Sequence, residues 1–277
     1  MPFSLLLHGY PTADVPLAHV QGPSLQGMFL HLVREVDPAM GQRLHDDSQY
    51  RPYTLSPFGI GEPGQHFQGF WLPRHKRIRS GAPCFVRITL LEDTLFSTFS
   101  RYFLSRQEPT FRLGSTEFVV TNVMGKNNGK VSWNNYTPYS DLLGQTGAGH
   151  RTITLHFLTP TSFRRGKVDF PLPDPRLVFR SYRKRYEEFA PQIDFLADFD
   201  ELVEFHTGIR SLYRLETATI RTKKVSLVGF IGRVSYQIDT QAPPDLIAQM
   251  NLLADYAFFC GTGRKTTVGM GQTIRIS

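Results

Sequence analysis

Along the 277 residues, hydrophobic periodicity alternates between two and about 3.6 residues, and it does so twice in the same order. Each switch commits a segment to a pleated or a helical surface, so this order limits the fold more than any composition does. Ser4–His8 reads as a first strand. Gly22-Pro23 then opens a helix striped by Leu25, Met28, Phe29, Leu32, Val33 and Val36, and Asp37-Pro38 caps a short second helix to about Leu44. Strand character returns within Arg51–Phe58 and in Cys84–Leu91. Leu95–Leu104 is helical, and Phe118–Met124 leads through the turn Lys126–Gly129 to Val131–Trp133. The second half gives a strand Thr152–Leu158, a long helical stretch Asp174–Phe205, strands Ser211–Thr222 and Val225–Ile238, a helix Pro244–Cys260 and a strand Thr273–Ile276. This pattern predicts an α+β chain of tandem ferredoxin-like (RRM-like) domains, β-α-β-β-α-β repeated twice. The Gly-, Pro-, Ser- and Asn-rich stretch Asn134–Gly149 serves as linker, giving domains of residues 1–145 and 146–277.

Between the last helix and the last strand lies GTGRKTTVGMG, Gly261–Gly271. Gly261 and Gly263 precede, and Gly269 and Gly271 follow, a run that includes Arg264 and Lys265. Glycines at this density allow positive φ and close backbone approach to a ligand. The loop follows a helix, whereas the P-loop and the dinucleotide fingerprint follow a strand and open a helix. A helix C-terminus repels anions, so any grip on phosphate must come from loop amides and from Arg264 and Lys265. A helix cap followed by a glycine-rich turn is the alternative.

Charge is concentrated elsewhere. Between Phe163 and Arg185 stand eight basic residues, among them Arg164, Arg165, Lys167, Arg180, Arg183 and Lys184, against Asp169 and Asp174. That net +6 is nearly the whole +7 of the chain. Phe163, Phe170, Phe179, Tyr182 and Tyr186 are interleaved with it. Cations for phosphate beside rings for bases suit single-stranded or looped RNA, while a solvated helix face is the plainer reading. The chain-wide basic balance, with a pI near 9.5, favours an acidic partner.

Several chemistries lack their residues. Cys84 and Cys260 sit in apolar surroundings without metal spacing, as buried thiols of a reducing, cytoplasmic compartment would. No HExxH, paired Cys/His set or GxSxG elbow occurs, and no apolar run is long enough to span a membrane. No metal site and no cofactor is therefore expected. RNA cleavage needs neither, because a base can take the 2′-OH proton while a cation stabilises the phosphorane and an acid protonates the departing 5′ oxygen. His31, His45 and Arg51 are close enough in sequence to supply such groups. His31 projects from the face opposite the first helix's apolar stripe, as an exposed histidine also would. His45 lies at a helix C-terminus, where the macrodipole favours a cation, suiting a general acid or an ordinary capping residue.

The spacing Gly261-x-Gly263-x5-Gly269-x-Gly271 resembles the glycine-rich signature of the RAMP superfamily of CRISPR-associated proteins. LQGMFLHLVREVDPAMGQRLHDDSQYRPYTLSPF (Leu25–Phe58), LTPTSFRRG (Leu158–Gly166) and VSLVGFIGRVSY (Val225–Tyr236) are similar, in order, to its pre-crRNA-processing endoribonucleases. The resemblance implies tandem ferredoxin-like domains and metal-independent cutting within each repeat, leaving 5′-hydroxyl and 2′,3′-cyclic phosphate ends. It ranks His45 first as acid–base residue and puts Arg51 where relatives often carry a lysine, as an electrostatic stabiliser. The tyrosine that some members carry on the first helix is replaced near Leu30 and His31, leaving His31 to fill its role or to act as a second acid–base group. Arg164 and Arg165 are expected to contact RNA, and Gly261, Gly263, Arg264, Lys265, Gly269 and Gly271 to form part of the RNA platform. The expected partner is CRISPR repeat RNA, with effector-complex subunits as further candidates, for a monomer or homodimer. A non-catalytic RAMP-type crRNA-binding subunit and a double RRM-like RNA-binding protein remain the rival readings.

Overall fold

Phe3, Leu5 and Leu7 alternate along the first strand and point into one core beneath two helices. The computed structural model that shows this describes residues 1–46, 50–61, 77–124, 133–144, 149–221 and 226–276. The expected turn Lys126–Gly129 lies outside them, as does part of the linker. The chain packs as two compact units, residues Met1–Tyr136 with Thr267–Gly269, and residues Thr137–Thr266 with Met270–Ser277.

In chain order the first unit contains β1 (Phe3–Pro11), β2 (Val15–Pro16), α1 (Gly22–Val36), α2 (Pro38–Asp46), β3 (Tyr53–Leu55), β4 (Gly59–Ile60), β5 (Arg77–Ile78), β6 (Cys84–Leu90), α3 (Asp93–Leu104), β7 (Thr110–Leu113), β8 (Thr116–Met124) and β9 (Asn135–Tyr136). Its main sheet runs β3-β6-β1-β8-β7 with antiparallel pairing. The β2-β3-β1-β4 order of a ferredoxin-like fold is present as β3-β6-β1-β8, with β7 added as a hairpin partner. α1 follows the expected stripe, with Pro23 at its start and Leu25, Met28, Phe29, Leu32 and Val33 buried. Asp37 Oδ1 accepts from the Met40 amide at 2.9 Å, which caps α2.

The opposite face of this sheet is also covered, since every residue of β6 is buried. Arg87, only 1% exposed, donates through Nε to Ser4 Oγ at 2.8 Å and to the Trp133 carbonyl at 3.2 Å. Desolvation lowers the pKa of this guanidinium. The strand expected over Cys84–Leu91 thus carries a charged residue that the structure buries with hydrogen-bond partners.

The second unit contains α4 (Tyr139–Gly144), β10 (Thr152–Thr161), β11 (Phe163–Arg165), β12 (Val168–Phe170), α5 (Pro175–Phe189), α6 (Phe199–His206), β13 (Thr207–Arg221), β14 (Ser226–Ile238), α7 (Pro244–Cys260) and β15 (Thr273–Arg275). Its sheet, β13-β14-β10-β15, repeats the ferredoxin-like order. Ile153, Leu155, Phe157, Val234 and Tyr236 are buried, as are Leu246, Met250, Leu253 and Ala257 of α7. The expected helical stretch Asp174–Phe205 is two helices. Ala190 takes an extended backbone, φ −100° and ψ 163°, as the residue before Pro191 must. β7 and the β11–β12 hairpin escaped the sequence reading because each is only three or four residues long.

Phe29 is fully buried, its ring centroid 4.3 Å from Tyr53 and 5.5 Å from Phe99. Phe29→Ala should lower stability by about 3–5 kcal/mol, read from the urea midpoint. Leu104→Ala, at a residue 86% exposed, should stay within about 0.5 kcal/mol.

Candidate active site and nucleic-acid surfaces

His45 sits in the last turn of α2 with its side chain 63% exposed. Its Nδ1 lies 3.2 Å from Asp46 Oδ1, and Gln42 Nε2 donates to Asp46 Oδ2 at 2.7 Å. The bond from Gln42, then that with His45, holds the Asp46 carboxyl below its ordinary range. Arg51 reaches back to the end of α2. One Arg51 Nη donates to the His45 carbonyl at 3.3 Å and the other to the Tyr53 hydroxyl at 3.4 Å. The Tyr53 ring is buried against Phe29, and burial pushes its phenol up, keeping it protonated. Gln26 Nε2 donates to the Tyr53 hydroxyl at 3.3 Å and to Thr267 Oγ1 at 3.0 Å. An exposed imidazole, a guanidinium fixed near it, and a polar chain through Tyr53 and Gln26 to Thr267 thus form one site within the first unit. Gln26, Tyr53 and Thr267 were not singled out in the sequence. The signal for Tyr53 was its place two residues beyond Arg51, on the same side of extended chain. Gln26 and Thr267 are 241 positions apart, and no local pattern joins them.

His31 is placed differently. It stands five residues after Gln26, about 140° around the helix, with Glu35 Oε1 4.0 Å from its Nε2. Arg106 lies 3.5 Å from the other Glu35 oxygen. His31 is thus 63% exposed beside a carboxylate, while the buried Leu30 occupies the side of α1 nearer Gln26.

The basic segment divides into two environments. On the β11–β12 hairpin, Arg164 and Arg165 are 56% and 52% exposed. Arg165 pairs with Asp174 at 2.7 Å and lies over the Phe170 ring at 3.9 Å. Arg164 and Arg264 both approach Asp169, and the exposed Lys167 lends its carbonyl to Arg164. On α5 the cations meet acids of a neighbouring helix and of α5 itself. Arg180 and Arg183 lie 3.3 and 3.0 Å from Asp200 of α6. Arg183 and Lys184 also lie 2.7 and 3.1 Å from Glu187. Arg176 takes Glu201 and Glu204. A large part of the helical charge run therefore docks α6 onto α5.

The glycine-rich loop uses its own polar groups to fold. Gly261, Gly263, Gly269 and Gly271 all have positive φ, as does Lys265. The amides of Thr262, Arg264 and Gly271 donate to the carbonyls of Gly271, Ser162 and Pro160. The amide of Gly263 donates to Ser181 Oγ. Arg185, 7% exposed, donates to the Gly263 carbonyl. Tyr182, Thr262 and Thr273 join through hydroxyls at 2.6 and 2.7 Å. A Cβ on Gly271 would stand 2.1 Å from the Thr262 carbonyl oxygen, and one on Gly263 2.4 Å from that of Ser162. The side chain of Lys265 remains exposed at the turn.

Burial pushes the Cys84 and Cys260 thiols up to about 12, so neither is a ready nucleophile. Among the described residues no three His, Cys, Asp or Glu side chains gather to hold a metal ion, and no helix is long and apolar enough to cross a membrane. Gly271→Ala should cost about 2 kcal/mol or more through its φ of +70° and the carbonyl clash. Differential scanning calorimetry checks this, and an unchanged melting curve would mean that the glycine is not required by the loop's own packing.

The comparisons with known proteins agree with this layout. Residues 1–144 match the profile of the CRISPR Cas6 N-terminal domain, and residues 155–273 that of the CRISPR-associated endoribonuclease Cas6. The CRISPR-associated endoribonuclease Cas6 of Streptococcus thermophilus is 30% identical over 122 residues, 43% of this chain and 48% of that protein. The match thus spans about half the length of that curated relative. A Cas6 solved as a product complex superposes with a TM-score of 0.75 at 29% identity, covering 100% of both chains. Thermus thermophilus Cas6, at 24% identity and a TM-score of 0.70 over 100% of this chain and 98% of that one, shares the fold. Two tandem ferredoxin-like units and family matches along both halves lead to one conclusion: the chain belongs to the Cas6 family of CRISPR-associated endoribonucleases.

Proposed function

We propose that this protein cuts CRISPR repeat transcripts without a metal ion, by attack of a ribose 2′-OH on the adjacent phosphorus, leaving 5′-hydroxyl and 2′,3′-cyclic phosphate ends. The observation that carries the reading is the bond from Arg51 to the His45 carbonyl, which ties a guanidinium to the backbone of the residue that bears an exposed imidazole. In this reaction the 2′ oxygen forms a bond to phosphorus as its proton leaves, and the 5′ oxygen departs with a proton. His45 serves as acid–base residue at one of these transfers. Arg51 stabilises the charge that builds on the non-bridging oxygens, with its position set by Tyr53. Some solved relatives are a Cas6 product complex and a Cas6 substrate mimic complex, which supports RNA as the ligand.

In this reading residues 1–145 carry the cutting site. Residues 146–277 carry an RNA surface that includes Arg164, Arg165, Lys167 and Arg264 on the hairpin side, with Lys265 on the glycine loop. Arg180, Arg183 and Lys184 contribute through the field they share with α6. The protein works in the cytoplasm as a monomer or homodimer, with repeat RNA as its partner and effector subunits as later recipients of the product. His31, beside Glu35, is the secondary acid–base candidate.

His45→Ala should lower single-turnover cleavage of a labelled repeat RNA in EDTA by about 10²–10⁴-fold, with affinity nearly unchanged. Arg51→Gln should cost about 10²–10³-fold, and Arg51→Lys should recover part of it. His31→Ala should have a smaller effect than His45→Ala. Binding without cutting by the wild type, across several repeat sequences, would replace this reading with that of a non-catalytic crRNA-binding subunit.

A further inference from the structure

The β13–β14 hairpin carries a construction that the cutting site does not use. Its strands pair from Thr207↔Ile238 to Arg221↔Ser226, with breaks in register between Ile209 and Ser211 and between Tyr213 and Glu216. At the second break Arg214 takes φ +48°, a conformation that a residue with a long side chain rarely adopts. Facing it, Gly232 takes φ +129°, and a Cβ there would stand 2.5 Å from the Arg214 carbonyl oxygen. Two unusual backbone conformations thus hold each other in place. Bulges of this kind re-aim side chains and recur beside functional sites.

The re-aimed residue is Tyr213, 53% exposed. The Arg214 guanidinium lies 5.4 Å from its ring centroid and that of Arg233 5.7 Å. Register places Tyr213 opposite Arg233, and Arg233 opposite His156 of β10, in one row across the sheet. Among the described residues neither Arg214 nor Arg233 is in an ion pair, unlike Arg180, Arg183 and Lys184 on α5. Glu216 is the one acidic residue in the sequence of either strand, against four arginines.

We propose that Tyr213, flanked by Arg214 and Arg233, is a stacking site for one unpaired nucleotide of bound RNA, with the guanidiniums meeting its flanking phosphates. The proposal rests on the RNA reading above for its ligand and on nothing in the cutting site. A base inside a duplex has no free face, so the occupant is an unpaired one. A second copy of this chain fits less well, because strand addition at this edge would meet two interrupted registers and set arginine against arginine.

The test uses the full chain and a 2′-O-methylated CRISPR-repeat RNA, which cannot be cut by 2′-OH attack, with affinity read by fluorescence anisotropy. Tyr213→Ala should weaken binding about tenfold, while Tyr213→Phe should match the wild type. Should Tyr213→Ala melt early, Tyr213→Leu keeps apolar bulk without the ring and should show the same loss. Arg233→Gln should flatten the slope of log affinity against log salt by about one. Affinity within about twofold of wild type for both Tyr213→Ala and Tyr213→Leu overturns the site. So does equal weakening by Tyr213→Phe, or a change of oligomeric state by light scattering with affinity unchanged. If the wild type cuts unmodified repeat while both variants bind normally, this site fails and the nuclease reading stands. If RNA binds through Tyr213 but is never cut, the site stands and the nuclease reading fails.

Discussion

The tilted ring contact between Phe29 and Tyr53 joins the core of the first unit to its candidate chemistry. Phe29 comes from α1 and Tyr53 from the short edge strand β3, and the ring of Phe99 from α3 closes the same cluster. With its ring fixed, Tyr53 has one place for its hydroxyl, where Arg51 and Gln26 meet it. Arg51 then has a second bond to make and takes the His45 carbonyl. A buried aromatic contact therefore sets the position of a half-buried cation through two hydrogen bonds. The ordering is thus done from below, and the solvent-facing side of the site stays open.

Charge in this protein has two uses that composition does not separate. On α5 Arg176, Arg180 and Arg183 face Asp200, Glu201 and Glu204 of α6, an attraction between two helices, while Glu187 of α5 itself takes Lys184 and shares Arg183. At exposures such as the 51% of Arg180, each such pair contributes little singly. The Asp200 carboxylate, 10% exposed between Arg180 and Arg183, has the least solvent around it. On the β11–β12 hairpin and on β13–β14 the cations outnumber the acids, and a net field extends into solvent.

Much of the fold was legible because its helices carry long unbroken stripes. α1 and α7 begin at their prolines as expected, and Gly261 ends α7 with the expected positive φ. The nearness of His45 to Arg51 was also legible, six residues apart with a helix end between them. What could not be read depends on partners remote in sequence. The acids that neutralise α5 lie mostly on α6 and are spaced without any periodic relation to it. Arg87 is buried on partners that no local pattern announces, since Ser4 and Trp133, which accept its hydrogens, are 83 and 46 positions away. The glycine loop could be read as a phosphate grip or as a cap and turn, and the acceptors of its Arg264 and Gly271 amides, Ser162 and Pro160, lie about a hundred positions away.

Thr267–Gly269, near the C-terminal end of the chain, are part of the first unit. Thr267 accepts from Gln26, and Val268 packs so closely on Gly22 that a Cβ there would lie 2.1 Å from its carbonyl oxygen. During synthesis, residues 1–136 emerge long before these three. The first unit can form its sheet and core early, but the start of α1 stays uncovered and Gln26 keeps water on that side until residue 269 has left the ribosome. The site beside His45 is therefore finished late, after nearly all of the second unit has been made.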